Sequence, residues 1–300
     1  MNRGGARRVS DKERGKRDIE KMREEARRRM EEITRKVEEN LRNVKVRLIV
    51  LSGKGGVGKT FVSTSLAFYL GKKGYKVGLL DADETGAAVP FVLGERKKPV
   101  YVRVDTGKMM PIETKYNIKF ISVEPLLPSG ETPLMWMGPL RTKLLLDFLG
   151  SVEWGELDFL IADMPPGTGD EVITMATALG EPRYAIVVGS PGRIATNVVR
   201  SAIVFCHKMN IPILGLIENM SYFRCPDGSI LEVFGESTVE ELSREYGVPV
   251  LGKIPIDPVV REANDKGKPV FELSPGSEVD KTLESIVDKI LAHLKDQGVL

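Results

Sequence analysis

Between residues 53 and 60 the chain reads Gly53-Lys54-Gly55-Gly56-Val57-Gly58-Lys59-Thr60. Glycines at this density let the backbone turn so that several N–H groups point into one concavity. A helix starting there adds the positive end of its dipole. Such a cradle suits the phosphates of a nucleoside triphosphate such as ATP. Lys59 can reach the β- and γ-phosphates, and the Thr60 hydroxyl is a hard oxygen ligand for Mg²⁺. The other chemistry-bearing groups are acidic. Asp81 and Asp83 stand in Leu80-Asp81-Ala82-Asp83, and Asp163 opens Asp163-Met164-Pro165-Pro166-Gly167-Thr168-Gly169-Asp170. Asp163 is placed to hold Mg²⁺ through water. Asp81 either supports that shell or caps its strand. Asn219, in Ile217-Glu218-Asn219-Met220, carries an amide that matches a donor and an acceptor on adenine, or else caps a turn. The turn from Lys253 to Pro258, with Pro255 and Asp257, is the other candidate wall for a base.

These groups are useful only if strands and helices deliver them to one place. Val46–Leu51 is a β-branched apolar run ending at Ser52-Gly53, and helical patterning follows from Lys59 to Lys73. Further strand-length runs are Lys76–Leu80, Ile118–Val123, Phe159–Ala162, Ala185–Val188, Ile213–Ile217 and Val250–Ile254. Helix-length segments separate most of them: Pro139–Leu149, Glu171–Leu179, Ile194–Met209 and Ser237–Tyr246. Apolar strands alternating with helices predict an α/β fold, a mostly parallel, doubly wound sheet flanked by helices on both sides. The glycine–lysine run then lies where a phosphate-binding P-loop must lie, after a strand and at the start of a helix. Pro99–Thr114 alternates around Asp105-Thr106-Gly107 and predicts a small hairpin insertion.

Composition narrows the remaining classes. The net charge of +2 is uneven, because residues 1–42 hold 15 Lys/Arg against 10 Asp/Glu. The body has no basic excess to suggest nucleic-acid binding, and any polyanion affinity belongs to the N-terminal arm. No run approaches the ~20 apolar residues of a membrane span, and Met1–Arg17 is too charged for a secretory signal, so a cytoplasmic protein is expected. Two cysteines, Cys206 and Cys225, exclude a disulfide framework. The arm, residues 1–45, is expected to be helical or partly disordered. Its sparse stripe of Ile19, Met22, Ala26, Met30, Ile33, Val37 and Leu41 has helical spacing, suited to docking on the domain of residues 46–300 or on a second subunit. Ile286, Val287, Ile290, Leu291 and Leu294 form a C-terminal stripe read as core packing, with a membrane surface as the other possibility.

Lys54, a second lysine early in the loop, resembles the deviant Walker A class. That likeness implies a homodimer closed face to face around nucleotide, with Lys54 reaching the partner's phosphate and Lys59 serving its own. It further implies that Asp83 positions the attacking water. Beyond the loop, Met137-Gly138-Pro139, Val152-Glu153-Trp154-Gly155, Asp163–Asp170, Glu218-Asn219-Met220-Ser221-Tyr222-Phe223 and Gly252–Pro258 together resemble the Mrp-type iron–sulfur cluster carrier ATPases, over about residues 46–275. The resemblance implies ATP hydrolysis, a labile [4Fe–4S] cluster at the dimer interface, and delivery to apo iron–sulfur proteins or exchange with assembly scaffold proteins. Two places depart from the pattern. A Cys-x-x-Cys pair is replaced by Cys225-Pro226-Asp227-Gly228, leaving Cys225 as the thiol ligand where two per chain would supply four. Asp83-Glu84-Thr85-Gly86-Ala87-Ala88-Val89-Pro90 also drifts from the usual switch sequence. The alternatives are a septum- or plasmid-positioning ATPase of the MinD/ParA type, or a nucleotide-gated scaffold without a cluster.

Overall fold

A strand that is apolar on every residue must be covered on both faces, and the central strands meet this demand by alternation. In β1 (Val44–Leu51), Val46, Leu48 and Val50 enter one buried cluster, while Ile49 and Leu51 enter the other. The computed structural model describes residues 20–21, 24–25, 27–28, 31–83, 88–96, 98–122, 146 and 148–300. Several expectations lie outside these residues: the Ile19, Met22, Ala26 and Met30 part of the arm stripe, Glu84–Ala87, Met137–Pro139 and most of the helix at Pro139–Leu149.

In chain order, residues 31–40 are helical (α1) and lead into β1. There follow α2 (Lys59–Lys72), β2 (Val77–Asp81), α3 (Val89–Val92), β3 (Tyr101–Val102), β4 (Met109–Met110), β5 (Ile112–Glu113) and β6 (Ile118–Ser122). A short helix at 148–151 (α4) precedes β7 (Leu157–Asp163), α5 (Asp170–Ala178), β8 (Arg183–Gly189), α6 (Arg193–Lys208) and β9 (Ile213–Glu218). The chain ends with β10 (Phe223–Arg224), β11 (Ile230–Leu231), α7 (Val239–Tyr246), β12 (Val250–Lys253), α8 (Pro258–Lys266), α9 (Val270–Leu273) and α10 (Glu278–Asp296).

Eight strands form one sheet in the order β12-β9-β8-β1-β7-β2-β6-β5. All neighbours are parallel except β5, which runs antiparallel along β6. The fold is therefore the doubly wound α/β sheet that the strand and helix alternation predicts. Helices α1, α4, α5, α6 and α7 cover one face, and α2, α3, α8, α9 and α10 cover the other. The insertion at 99–114 is a β3–β4 hairpin, whose following residues supply the antiparallel edge. Helix α2 lacks a polar face and is buried between the sheet and α10, as an all-round apolar helix must be. The C-terminal stripe is core: Ile286, Val287, Ile290, Leu291 and Leu294 are all buried against the sheet, which removes it as a membrane surface.

The division expected at residue 45/46 does not coincide with an edge of the core. Val37 and Leu41 are 0% exposed, Ile33 packs beside them, and the Asn40 amide donates to the carbonyls of Leu149 and Val152. Buried Arg47 completes the attachment. Its guanidinium donates to the carbonyls of Leu41 at 2.9 Å and Glu181 at 2.8 Å, and also to Leu179. Leu41 and Leu179 end α1 and α5, so two negative helix ends converge on the cation. Truncation by Leu41→Ala is expected to destabilise the domain by about 2–4 kcal/mol, as a buried leucine loses transfer energy and leaves a cavity. Denaturant unfolding reads this directly, and an unchanged midpoint would mean that α1 is not part of the cooperative unit.

Candidate nucleotide site

Strand register alone brings three of the acidic and hydroxyl groups into a row. Val50 lies opposite Asp163 on β1 and β7, Asp163 opposite Asp81 on β7 and β2, and Asp81 opposite Ser122 on β2 and β6. All four sit at the carboxyl edge of the sheet, where strand order reverses and ligands bind in folds of this kind. The loop of residues 53–58 leaves β1 at this edge and passes directly into α2.

Asp163 is the centre of the site. Its carboxylate is fully buried and takes three donors: Lys59 Nζ at 2.7 Å and Ser63 Oγ at 2.8 Å on Oδ1, and Thr60 Oγ1 at 2.6 Å on Oδ2. Lys59, Thr60 and Ser63 lie in the first five residues of α2, and the spacing from 59 to 63 places a lysine and a serine on one side of the helix. Ser63 was not singled out from the sequence, although its position one helical turn after Lys59 is a usable signal. Asp83 Oδ2 lies 3.7 Å from the same ammonium. Lys54 stands exposed at the outer rim of the loop.

The loop's glycines have separate duties. Gly58 caps α2 at φ 82°, ψ 25°, a left-handed conformation that side chains resist. A Cβ there would also stand 2.1 Å from Asn219 Nδ2. Gly53 faces α6, where a Cβ would meet Val198 Cγ1 at 2.2 Å. Asn219 accounts for the contact with Gly58: its side-chain amide donates to Val57 O at 2.9 Å, and its backbone N–H donates to Gly189 O at 2.8 Å. The residue expected at the base thus braces the loop, through one of the two N–H donors of its amide. From the other side, Gly167 N–H donates to Ser52 O at 2.8 Å, joining the loop after Asp163 to the loop after β1.

Asp81 is also fully buried. Burial, and then the charge of Asp163, push its carboxyl up to about 7, while bonds from Ser122, Val89 and Asp83 oppose the rise. Of the expected base wall, Pro255 is buried, and Asp257 spends its carboxylate on capping α8 by accepting from Val259 N–H at 2.8 Å. In the turn after β12 a base-facing Asp cannot be told from a cap in sequence, because both readings place an Asp before Pro at a helix start.

Cys225 lies elsewhere on the same chain segment, in the turn of the β10–β11 ribbon. Its N–H donates to Ser229 O at 2.8 Å and Gly228 N–H returns to Cys225 O at 2.9 Å. Gly228 holds φ 86°. Asp227 accepts from Ser229 N–H at 2.9 Å and Ser229 Oγ at 2.6 Å, so its carboxylate serves the turn. The ribbon is tied to α10 by Glu278, which accepts from Arg224 Nε at 2.8 Å, Arg224 Nη2 at 2.7 Å and Tyr222 OH at 2.8 Å. The Arg224 guanidinium draws the Glu278 carboxyl down to about 2. No sequence signal connects Glu278 to a ribbon more than fifty positions earlier. Cys206 is fully buried in α6, and burial pushes its thiol up to about 12, so it is a core residue. Among the described residues, no group of three or more His, Cys, Asp or Glu side chains is arranged to hold a metal within one chain.

A glycine-rich turn between a central parallel strand and a buried helix, with a lysine and a threonine facing a strand-end aspartate, defines a P-loop NTPase. The family described as ParA, NUBPL iron-transfer P-loop NTPase, matches residues 43–291, and the chain belongs to it. An iron–sulfur cluster carrier protein of Saccharolobus solfataricus is 41% identical over 249 residues, 83% of each chain. One of Aquifex aeolicus is 46% identical over 257 residues, covering 85% of this chain and 70% of its own. Among solved structures, a nucleotide-binding protein from Archaeoglobus fulgidus in complex with ADP is 37% identical with a TM-score of 0.70, over 81% of this chain and 94% of that one. The Pyrococcus furiosus cell division ATPase MinD is 25% identical with a TM-score of 0.62, over 82% and 99%.

Gly58→Ala combines a left-handed backbone with a clash on Asn219, each costing about 1 kcal/mol or more, so ADP affinity should fall at least about tenfold. Calorimetric titration measures it, and unchanged affinity would mean that the loop reaches its bound form without Gly58.

Proposed function

We propose that the chain is an ATPase that works as a homodimer, carries an iron–sulfur cluster and transfers it to apo-proteins in the cytoplasm. The observation that carries the ATPase part is the convergence of Lys59, Thr60 and Ser63 on the buried Asp163 carboxylate. On this reading the phosphates of ATP take over Lys59 from the Asp163 carboxylate that holds it. Thr60 and Asp163 are both hard oxygen donors 2.6 Å apart, a set that fits Mg²⁺, and they are the residues that would hold it. The ion supplies neutralisation of charge on the β- and γ-phosphate oxygens. Asp83, beside Lys59, orients the water that attacks the γ-phosphate. Lys54, exposed at the rim, is free to enter a partner's site and to spread positive charge over the transferring phosphoryl group, as an arginine finger does. Asn219 and Pro255 border the base.

The cargo reading rests on the relatives named as iron–sulfur cluster carriers, and on Cys225 standing partly exposed in a ribbon outside the core. Two copies of the chain bring two thiolates together, and the remaining iron positions need other donors. One relative is named a cytosolic Fe–S cluster assembly factor, in keeping with a cytoplasmic site of action. The second reading, a nucleotide-gated scaffold without a cluster, is favoured by Gly228 where a second thiol would be needed. The α10 stripe that would serve a membrane-positioning role is buried.

Two experiments separate these readings. Lys59→Ala is expected to abolish ATP turnover, and Lys54→Ala to keep ATP binding while losing at least about tenfold in turnover, the effect of removing a transition-state cation. Full activity in Lys59→Ala would overturn the ATPase assignment, and unchanged turnover in Lys54→Ala would remove the role across subunits. For the cargo, anaerobic reconstitution with iron and sulfide is read by absorbance and iron content. About four irons per dimer, lost in Cys225→Ser, is the result expected of a [4Fe–4S] carrier. Absence of bound iron with ATPase activity intact would favour the scaffold.

A further inference from the structure

Asp81 makes the local bond of a strand cap and, in addition, one to Val89 that neither a cap nor a Mg²⁺ shell requires. Its Oδ1 accepts the Asp83 N–H at 3.3 Å, and its Oδ2 accepts the Val89 N–H at 3.2 Å and the Ser122 hydroxyl at 3.0 Å. Asp83 and Val89 are the described residues that bracket the connection from β2 to α3, six positions apart in sequence. One buried carboxylate therefore holds both ends of that connection. The carboxylate itself is fixed by two neighbours: its strand is in register with Asp163 on β7, and its side chain is braced by Ser122 on β6. Neither Lys59 nor Thr60 donates to Asp81. Their bonds go to Asp163, so Asp81 is separate from the cradle that contacts phosphate.

We propose that Asp81 is a positioning residue for hydrolysis, a two-ended tether that sets where Asp83 stands relative to Lys59. The Asp83 carboxylate lies 3.7 Å from Lys59 Nζ while the Asp83 amide is held by Asp81, so backbone and side chain of Asp83 are located by different partners. Loss of the tether leaves the cradle intact and frees the backbone that carries Asp83. Geometry of the attacking water depends on that backbone, and small misplacements of a positioning group cost rate much more than they cost substrate affinity. The inference rests on the hydrolytic reading of the site, but the tether itself is testable without turnover.

Asp81→Asn is the informative change, because it keeps the buried volume and replaces one of the two acceptor oxygens with a donor. Hydrogen exchange at the Asp83 and Val89 amides is the direct readout. In the variant at least one of these amides should exchange about tenfold faster or more, the effect expected when a buried amide loses its acceptor. Ser122→Ala removes the hydroxyl and leaves both amide bonds, and both amides should stay protected. In turnover, Asp81→Asn should lower kcat about tenfold with ADP affinity within about twofold of wild type, and Ser122→Ala should lower kcat by less than about threefold. Wild-type exchange at both amides in Asp81→Asn overturns the tether. A loss of kcat matched by a proportional loss of ADP affinity overturns the positioning role and assigns the effect to the phosphate cradle. Equal losses in Ser122→Ala and Asp81→Asn overturn it in favour of general destabilisation at the end of β2. A wild-type protein that binds ADP but does not turn over ATP defeats the hydrolytic reading, and the exchange data then still decide whether Asp81 is the tether.

Discussion

A carboxylate at the end of a central strand, fully removed from water, has to be met by donors or the strand end cannot be buried. Asp163 is in that position, and its three donors all come from the N-terminal end of α2. The rest of the site follows from this requirement. For Lys59, Thr60 and Ser63 to face Asp163, α2 must begin within a few residues of β1 and turn back over the sheet. That turn needs the left-handed backbone of Gly58. The space beside Gly58 is in turn filled by the amide of Asn219, which also satisfies the carbonyl of Val57. An ion pair so deeply placed is weak support for stability in itself, but it constrains geometry strictly, since any misalignment leaves a buried charge unmatched.

The same edge of the sheet shows how loops from distant parts of the chain are made to depend on one another. Gly167 N–H reaches Ser52, Asn219 reaches Val57 and Gly189, and Asp81 reaches Asp83 and Val89. The bonds of Gly167 and Asn219 join segments that leave different strands, whereas those to Asp81 close the single connection from β2 to α3. A change in the cradle is therefore felt at several strand ends together. The segment leaving β9 has a further consequence. Only six positions separate Asn219, beside the loop, from Cys225, in the ribbon, and between them Ser221 N–H donates to Ile254 O while Tyr222 O accepts from Ile256 N–H, both in the segment after β12. The same strand of the ribbon is held to the start of α10 by Glu278, which accepts from Tyr222 and Arg224. The segment leading into Cys225 is thus attached both to the nucleotide loop, through Asn219, and to the helix that packs on α2, through Tyr222 and Arg224.

Much of this was readable before any coordinates. The apolar runs that became β1, β7, β8 and β9 are buried on both faces, a condition that leaves a continuous hydrophobic signature. The cradle was readable because glycine, lysine and threonine are needed there for reasons of backbone freedom and charge that few other residues meet. Short pieces without periodicity, such as α3, α9 and the two-residue strands of the β10–β11 ribbon, left no comparable trace. Side-chain destinations were less legible still. The Asn219 amide and the Asp257 carboxylate have the chemistry to meet a base, and the structure shows that one also braces Val57 and the other caps α8, roles the residue types alone do not distinguish. The limit of the core at α1 was hidden as well, because a sparse stripe on a charged helix reads the same whether it packs on its own domain or on another chain.

The amino-acid sequence by itself determined the layer architecture, the phosphate cradle and the identity of the acidic groups near it, because hydrophobic periodicity and the steric demands of a tight glycine loop are local properties. Only the tertiary structure decided which partners those groups take. Asp163 meets Ser63 as well as Lys59 and Thr60, Asp81 holds two backbone amides, and Glu278 anchors the ribbon of Cys225. Each of these pairings depends on strand register and on helices crossing between residues far apart in the chain, and hydrogen bonds of a few ångströms are fixed by that packing.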